Sequence, residues 1–398
     1  MKLWQKNYTL NKEIASFTVG NDFFLDQKLL KYDIKVNLAH AKMLNSIDIL
    51  TKEELAKISK TLQQLNNLAK KGKFKIKKEQ EDVHTAVEEF LTKKIGKIGK
   101  KIHTAKSRND QVMTDILLYC KDELNIIKKL ITKVIQEINH FSKKYNKIPM
   151  PGYTHMQKAM PYSVSKWILS FKEMLEDDLN SIDFALSLID KNPLGSAAGY
   201  GLPIKINKEL TTKELRFKQT HKHALYVQNS RGKYEMVIMS AINQSMLTIN
   251  KLATDLLLFT TSEFNFFSLP DEFCTGSSIM PQKKNYDVLE LVKGKTVTIQ
   301  SKIVEISLLY SNLPSGYNRD LQLTKKPLME SIEISKSIIS IITLVLKNLK
   351  PNKKTLEKSM TKELYATEKA LNLTKKGIPF RDAYKKITKS SVNQLNNA

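Results

Sequence analysis

The chain has 398 residues, an apolar share of 41% and a formal charge of +25, from 65 lysines and arginines against 40 acids. That length fits two or three domains, or one large domain with appendages, and the apolar share supports a substantial core. Two cysteines, Cys120 and Cys274, exclude a disulfide framework and fit a reducing compartment. The charge does not argue for a nucleic-acid partner. Only five basic residues are arginine (Arg108, Arg216, Arg231, Arg319, Arg381), the type that reads bases and clamps phosphates with a planar fork.

In chain order, Met1-Lys2-Leu3-Trp4-Gln5-Lys6-Asn7 has no apolar stretch, so no signal peptide is expected. Residues 1–108 are mixed and mostly helical in pattern, with Leu55, Ile58, Leu62 and Leu65 at helical spacing. The lysine-rich run Lys70–Lys78 reads as a solvated connector. From Asn109 to Ile148 there is neither Gly nor Pro. Val112, Ile116, Cys120, Leu124, Ile127, Ile131, Val134, Ile138 and Phe141 recur there every three or four residues, which predicts a long helix with one apolar stripe. Four more breaker-poor tracts follow, at about 162–190, 233–262, 287–311 and 327–347; Gly294 interrupts one of them at a cost of about 1 kcal/mol. Five long amphipathic helices bury their stripes against one another, so residues 109–348 are expected to form a central bundle with surplus apolar surface for oligomerisation. Residues 349–398 are read as a short lysine-rich helical domain. The longest apolar run, Ile338–Leu346, is far short of the roughly 20 residues that span a bilayer. A cytoplasmic all-α protein with no membrane partner is the expectation.

Polar residues concentrate at the joints between these helices. His103–Gln111 precedes the first long tract, Pro151–Gln157 the second, Gly276–Asn285 the fourth and Pro314–Gln322 the fifth. Helix amino ends offer free amides and a positive dipole, which suits anions. In Gly276-Ser277-Ser278-Ile279-Met280-Pro281-Gln282-Lys283-Lys284-Asn285 the small residues and the proline keep the backbone out of a helix, while hydroxyls, ammoniums and an amide supply donors. Taken alone, it could equally be a basic surface loop, and His155 a packed helix-cap residue. No set of residues has metal-ligand spacing: His221-Lys222-His223 lacks a third ligand. Gly195, Gly199 and Gly201 lack the preceding strand of a dinucleotide fingerprint, and there is no GxSxG elbow. What remains is an acid–base kit with anion clamps and no cofactor. Such a kit fits β-elimination from a dicarboxylate. Removing a proton beside a carboxylate builds an enolate that needs fixed donors, which Lys283, Asn285, Thr154 and the amides near Ser277 and Ser278 would supply.

The 276–290 stretch, with two serines, Met-Pro, Lys, Asn and then Glu290, resembles the signature of the aspartase/fumarase superfamily. The other two signature regions, 103–112 and 151–161, are present, as is Asn192-Pro193-Leu194-Gly195-Ser196. Ser107–Gln111, Gln282–Asn285 and Ser315–Gln322 are similar to the argininosuccinate lyase family, and fumarases and adenylosuccinate lyases do not usually carry them. The likeness runs from about residue 3 to about residue 385. It implies a homotetramer with a shared helical core, active sites assembled from three subunits, and conversion of argininosuccinate to arginine and fumarate. It makes His155 and Ser277 the acid–base pair, with the direction of proton transfer left open, Glu290 the polariser of the histidine, and Lys283 the stabiliser of the enolate. Asn109, Thr154 and Asn285 would hold the succinyl carboxylates, helped by Ser107 and Arg108. Tyr317, Gln322 and Lys325 would hold the arginine end, and His84 would support the site.

Three departures from the family pattern stand out. Tyr286 replaces a proline, Lys106 replaces an arginine fork with a point charge, and the chain stops where relatives continue. An amino-terminal substrate contact, expected near Thr18–Asp22, has no clear assignment. A sister lyase releasing fumarate from another substrate, or an inactive scaffold protein, are the rival readings. Joint presence of Ser277, His155, Lys283, Asn285 and Glu290 argues against the scaffold.

Overall fold

The computed structural model describes residues 10–395, and side chains to 389. The Met1–Asn7 segment read for a signal peptide lies outside them. Helices dominate. In the amino-terminal part they are α1 (Lys12–Val19), α2 (Leu30–Ser46), α3 (Lys52–Lys70) and α4 (Val83–Ile95). Asn11 caps α1, Asp82 caps α4, and Thr51 with Glu54 forms a reciprocal capping box on α3.

The five long tracts are helices α5 (Arg108–Lys144), α6 (Val164–Ile189), α7 (Lys233–Phe259), α8 (Asp287–Ser311) and α9 (Lys325–Asn348). Local chemistry sets their ends. Ser107 Oγ accepts the Asn109 amide and Asp110 Oδ1 accepts the Ser107 amide, which starts α5. Ser163 Oγ accepts the Lys166 amide at the start of α6, and Glu235 Oε2 accepts the Gly232 amide at the start of α7. Pro327 sits in the first turn of α9, where its missing donor costs nothing. The predicted stripe of α5 is the buried one: from Ile116 to Phe141 each of its members is buried, at roughly 1.5–3 kcal/mol for each large side chain. Val112 is the exception; it is half-buried and lines a cavity.

Between α5 and α6 lies a hairpin that apolar periodicity does not signal. Strands β1 (Pro149–Thr154) and β2 (Gln157–Ser163) pair antiparallel, with an irregularity at Gly152. Both are edge strands, so their prolines leave no ladder donor missing. A second, minimal pair joins β3 (Thr275–Gly276) to β4 (Lys284–Asn285), so the signature loop is the tip of a hairpin leading into α8.

The chain forms two compact units. One comprises Met1–Lys128, Asn180–Asn243 and Thr298–Ile334; the other comprises Lys129–Leu179, Gln244–Val297 and Ser335–Ala398. Each contains segments of all five long helices. No helix among the described residues is long and apolar enough to cross a membrane.

Candidate active site

In the first unit a cavity of about 160 Å³ is walled by the start of α5, the 317–325 segment, and the turn after α1. Lys325 opens α9 fully buried, its Nζ 2.6 Å from Asp26 Oδ1 and 3.2 Å from Asp22 Oδ1. Burial works against the ammonium, but Asp26 and Asp22 outweigh it and hold its pKa above the ordinary lysine value. Burial raises Asp22 in turn, with Lys325 opposing. The Arg231 guanidinium lies 5.2 Å from the Tyr317 ring centroid, a cation–π pair on the cavity wall. Gln322 Nε2 and Arg319 Nη2 both donate to the Thr18 carbonyl, at 3.0 and 2.9 Å. Arg108 reaches Asp82 Oδ2 at 3.1 Å and Thr85 Oγ1 at 2.5 Å, and Asn109 faces the cavity beside it. Tyr317, Gln322, Lys325, Asn109 and Arg108 therefore meet around one space. Ser107 serves the backbone of α5 and does not line that space.

Asp110, next in this motif, is buried and accepts the amides of Ser107, Gly195 and Ala197 at 2.8–2.9 Å. Burial lifts its pKa to about 6 even so. This carboxyl ties the Asn192–Ser196 motif to the amino end of α5. Behind it His84 is buried, its Nδ1 2.8 Å from Asp33 Oδ1 and 3.8 Å from Asp115 Oδ2. The three form a group compact enough to offer a cation ligands, a grouping that no sequence spacing signals. Asp33 is already engaged, since Gln111 and Asn37 donate to its two oxygens at 2.6 and 2.8 Å, while both oxygens of Asp115 and His84 Nε2 are buried without a hydrogen-bond partner among the described residues. Burial would raise Asp33, yet His84 and then Lys106 hold it below the usual carboxylate range. Burial, reinforced by the Asp33 charge, pushes Asp115 well above it. Lys106 is buried and donates to Asn37 Oδ1 at 2.5 Å.

In the second unit the hairpin tip presents Thr154, His155, Met156 and Gln157, all exposed. Thr154 pairs with Gln157, leaving a two-residue turn in which both His155 (φ 52°) and Met156 (φ 61°) occupy the left-handed region. Such two-residue turns ordinarily take glycine or asparagine, and each non-glycine residue there costs on the order of 1 kcal/mol. Both side chains are thereby aimed outward from the hairpin. Its base rests on an aromatic floor: the Tyr153 ring lies 5.6–6.5 Å from Phe259, Phe264 and Phe266.

The signature loop is likewise outward-facing. Ser277 is half-buried and its Oγ accepts the amides of Met280 (3.1 Å) and Ile279 (3.3 Å), while Ile279 itself is 82% exposed. Lys284 is engaged by Asp271 at 2.6 Å; its neighbour Lys283 is exposed and carries no ion pair among the described residues. Asn285 Nδ2 donates to the Gly276 carbonyl at 3.4 Å, closing the loop's neck. Glu290 is exposed in the first turn of α8. Among the described residues of one chain, His155 makes no hydrogen bond to Ser277, Lys283 or Glu290.

Sequence reasoning missed Asp22, Asp26, Glu81, Asp82 and Arg231 as cavity walls. The scarcity of arginine could have pointed to Arg231; nothing in the spacing of the acids could. The unassigned Thr18–Asp22 segment supplies the Thr18 carbonyl, Val19 and Asp22.

Comparison with known proteins gives a consistent family. The profile of a family described as "Lyase" matches residues 14–301. The chain is 45% identical to the argininosuccinate lyase of Thermotoga neapolitana, covering 97% of each chain, and 40% identical to that of Bacteroides fragilis, covering 97% of this chain and 86% of the relative. Among solved structures, EDDS lyase in complex with formate superposes with a TM-score of 0.82 at 22% identity, over 98% of this chain and 78% of that one. The class II fumarase of Schistosoma mansoni does so with 0.77 at 16%, over 96% and 88%. Those two likenesses speak for the fold, that of the aspartase/fumarase superfamily of lyases. Within that superfamily, the chain belongs to the argininosuccinate lyase family.

Proposed function

We propose that the chain catalyses the β-elimination of argininosuccinate to L-arginine and fumarate, the last step in making arginine. The observation that carries this reading is the presence of both the Ser277–Asn285 signature loop and a Tyr317–Gln322–Lys325 cavity in a chain 45% identical to a relative named argininosuccinate lyase. The base takes the proton from the succinyl carbon next to the carboxylate. The resulting electron pair forms the double bond of fumarate as the carbon–nitrogen bond breaks, and the departing guanidino nitrogen takes a proton from the acid. His155 and Ser277 are that pair, Glu290 polarises His155, and Lys283 neutralises the enolate. Thr154, Asn109, Asn285 and Arg108 hold the succinyl carboxylates, and Ser107 acts through the start of α5 that it caps. Tyr317, Gln322 and Lys325 hold the arginine end, and His84 supports the wall through Asp33.

The same reading includes a homotetramer with residues 109–348 as its core and loops from different copies sharing each site. Two features support it. Leu291, Val297, Val304 and Leu308 form an outward stripe along α8, each more than half exposed. His155 stands exposed on a strained tip and Ser277 is half-buried in a loop that its own hydroxyl closes, which suits donation to a neighbour. A cytoplasmic location belongs to the same reading and rests on two unpaired cysteines.

The test follows fumarate absorbance. Argininosuccinate is expected to release fumarate, while adenylosuccinate does not and fumarate with ammonia gives no adduct. Release from adenylosuccinate alone would move the assignment to a sister lyase, and release from neither would favour the inactive scaffold. Sedimentation is expected to give a tetramer; an active monomer would overturn the shared site.

A further inference from the structure

Arginine supplies five of the 65 basic residues of this chain. Three of them, Arg108, Arg231 and Arg319, line the cavity described above. A fourth, Arg216, lines a second and larger cavity of about 450 Å³ in the same unit, walled by α2, α5 and the 214–216 segment. Where lysine serves nearly every other cationic position, a guanidinium on a cavity wall points to work that needs a planar fork rather than a point charge.

The backbone of Arg216 is held in an unusual state. It stands in the left-handed region (φ 58°), Lys121 Nζ donates to its carbonyl at 2.9 Å, and the Lys121 ammonium rests 4.7 Å from the Phe217 ring centroid. Lys121 also pairs with Asp190, so the anchor is fixed from both sides. A left-handed non-glycine residue costs roughly 1–3 kcal/mol and persists where its surroundings over-determine it. Across the cavity Lys35 hangs over the Tyr32 ring at 5.6 Å. Neither Arg216 nor Lys35 has a carboxylate within ion-pair distance among the described residues. The two acids of the wall are already engaged, Asp122 by the Tyr32 hydroxyl at 2.8 Å and Lys31 at 3.3 Å, and Glu214 by Lys42 at 2.7 Å. Leu38, Ala39, Leu118 and Leu215 give the remaining wall its apolar part, and Asn125 adds one amide.

We propose that this second cavity binds a small oxyanion carrying an apolar or aromatic group, its carboxylate or phosphate on Arg216 and Lys35 and its apolar part against the leucines. The site is independent of the lyase reading, since none of its residues belongs to that machinery.

Isothermal titration of the full-length protein with benzoate, phenyl phosphate and inorganic phosphate tests it. At least one aromatic anion is expected to bind with Kd of about 1 mM or tighter, and the tighter of the two identifies the headgroup. Inorganic phosphate is expected to bind more weakly than phenyl phosphate, for want of the leucine contacts. Arg216→Lys should weaken binding by roughly tenfold, because the bidentate contact is lost while the charge stays. Arg216→Gly should abolish it; glycine accepts the left-handed conformation, so this variant keeps the fold. Binding unchanged in Arg216→Gly, or no heat with either aromatic anion up to about tenfold that concentration, would overturn the proposal.

Discussion

The two regions that carry the proposed chemistry are built in opposite ways. The cavity of the first unit is finished within one chain: Lys325 is sunk between Asp22 and Asp26, Arg231 stacks on Tyr317, and Gln322 and Arg319 are tied to the Thr18 carbonyl. The loops of the second unit are unfinished. His155 sits at the tip of a strained turn, and among the described residues Lys283 has no ion-pair partner and Ser277 bonds only its own loop. On the proposed assignment, recognition of the arginine end uses groups pre-placed at a folding cost. Proton transfer needs groups left free to meet what approaches them. Substitutions in the first region should therefore register in stability as well as binding, and those in the second in turnover alone.

The largest expected effect is at Lys325. Lys325→Met strands the buried carboxylate of Asp26 and leaves half-buried Asp22 unpaired, and removing one partner of a buried pair costs about 3–5 kcal/mol; denaturant unfolding should report that loss, along with weakened substrate binding. A midpoint like the wild type's would mean the pair is not buried in solution. Next come Ser277→Ala and His155→Asn, each expected to lower kcat at least about 10²-fold, or roughly 2.7 kcal/mol of barrier, with unfolding unchanged. Near-normal turnover in either would discard its assigned role.

A third test concerns the core beside the first region. Burial, with Lys106 assisting, holds His40 to a pKa of about 3 against an ordinary 6.5, and its Nε2 lies 2.7 Å from the Thr104 carbonyl. Its contribution is complete above about pH 6.5 and is lost as pH falls towards 3, because the unfolded chain takes the proton first. The stability gap between wild type and His40→Gln should narrow from pH 7 to pH 4, by at most about 1.4 kcal/mol per pH unit. A gap that widens would contradict the neutral, buried histidine. The smallest effect separates two neighbours: Lys284→Ala, losing only an exposed pair with Asp271, should leave turnover within roughly twofold, while Lys283→Ala should not. Equal losses would show that the loop needs its charge and not a particular ammonium.

Much of the bundle was legible because apolar periodicity is a local signal. Helices α5 to α9 follow the five breaker-poor tracts, and the α5 stripe is buried almost residue for residue. The β1–β2 hairpin was not legible, since prolines at 149, 151 and 161 mask any alternation. Nor was the Asp33–His84–Asp115 group, whose members come from three helices far apart in the chain.

The sequence by itself determined where the long helices run, which loops carry hydroxyls, amides and ammoniums, and the family they resemble. Each of those follows from spacing within a few turns or from a contiguous motif. Only the tertiary structure decided that Lys325 lies between two carboxylates, that His155 stands on a left-handed turn, and that four of the five arginines line cavities. Those outcomes depend on which distant segments share a low-dielectric space, and burial, not residue type, sets how strongly their charges act.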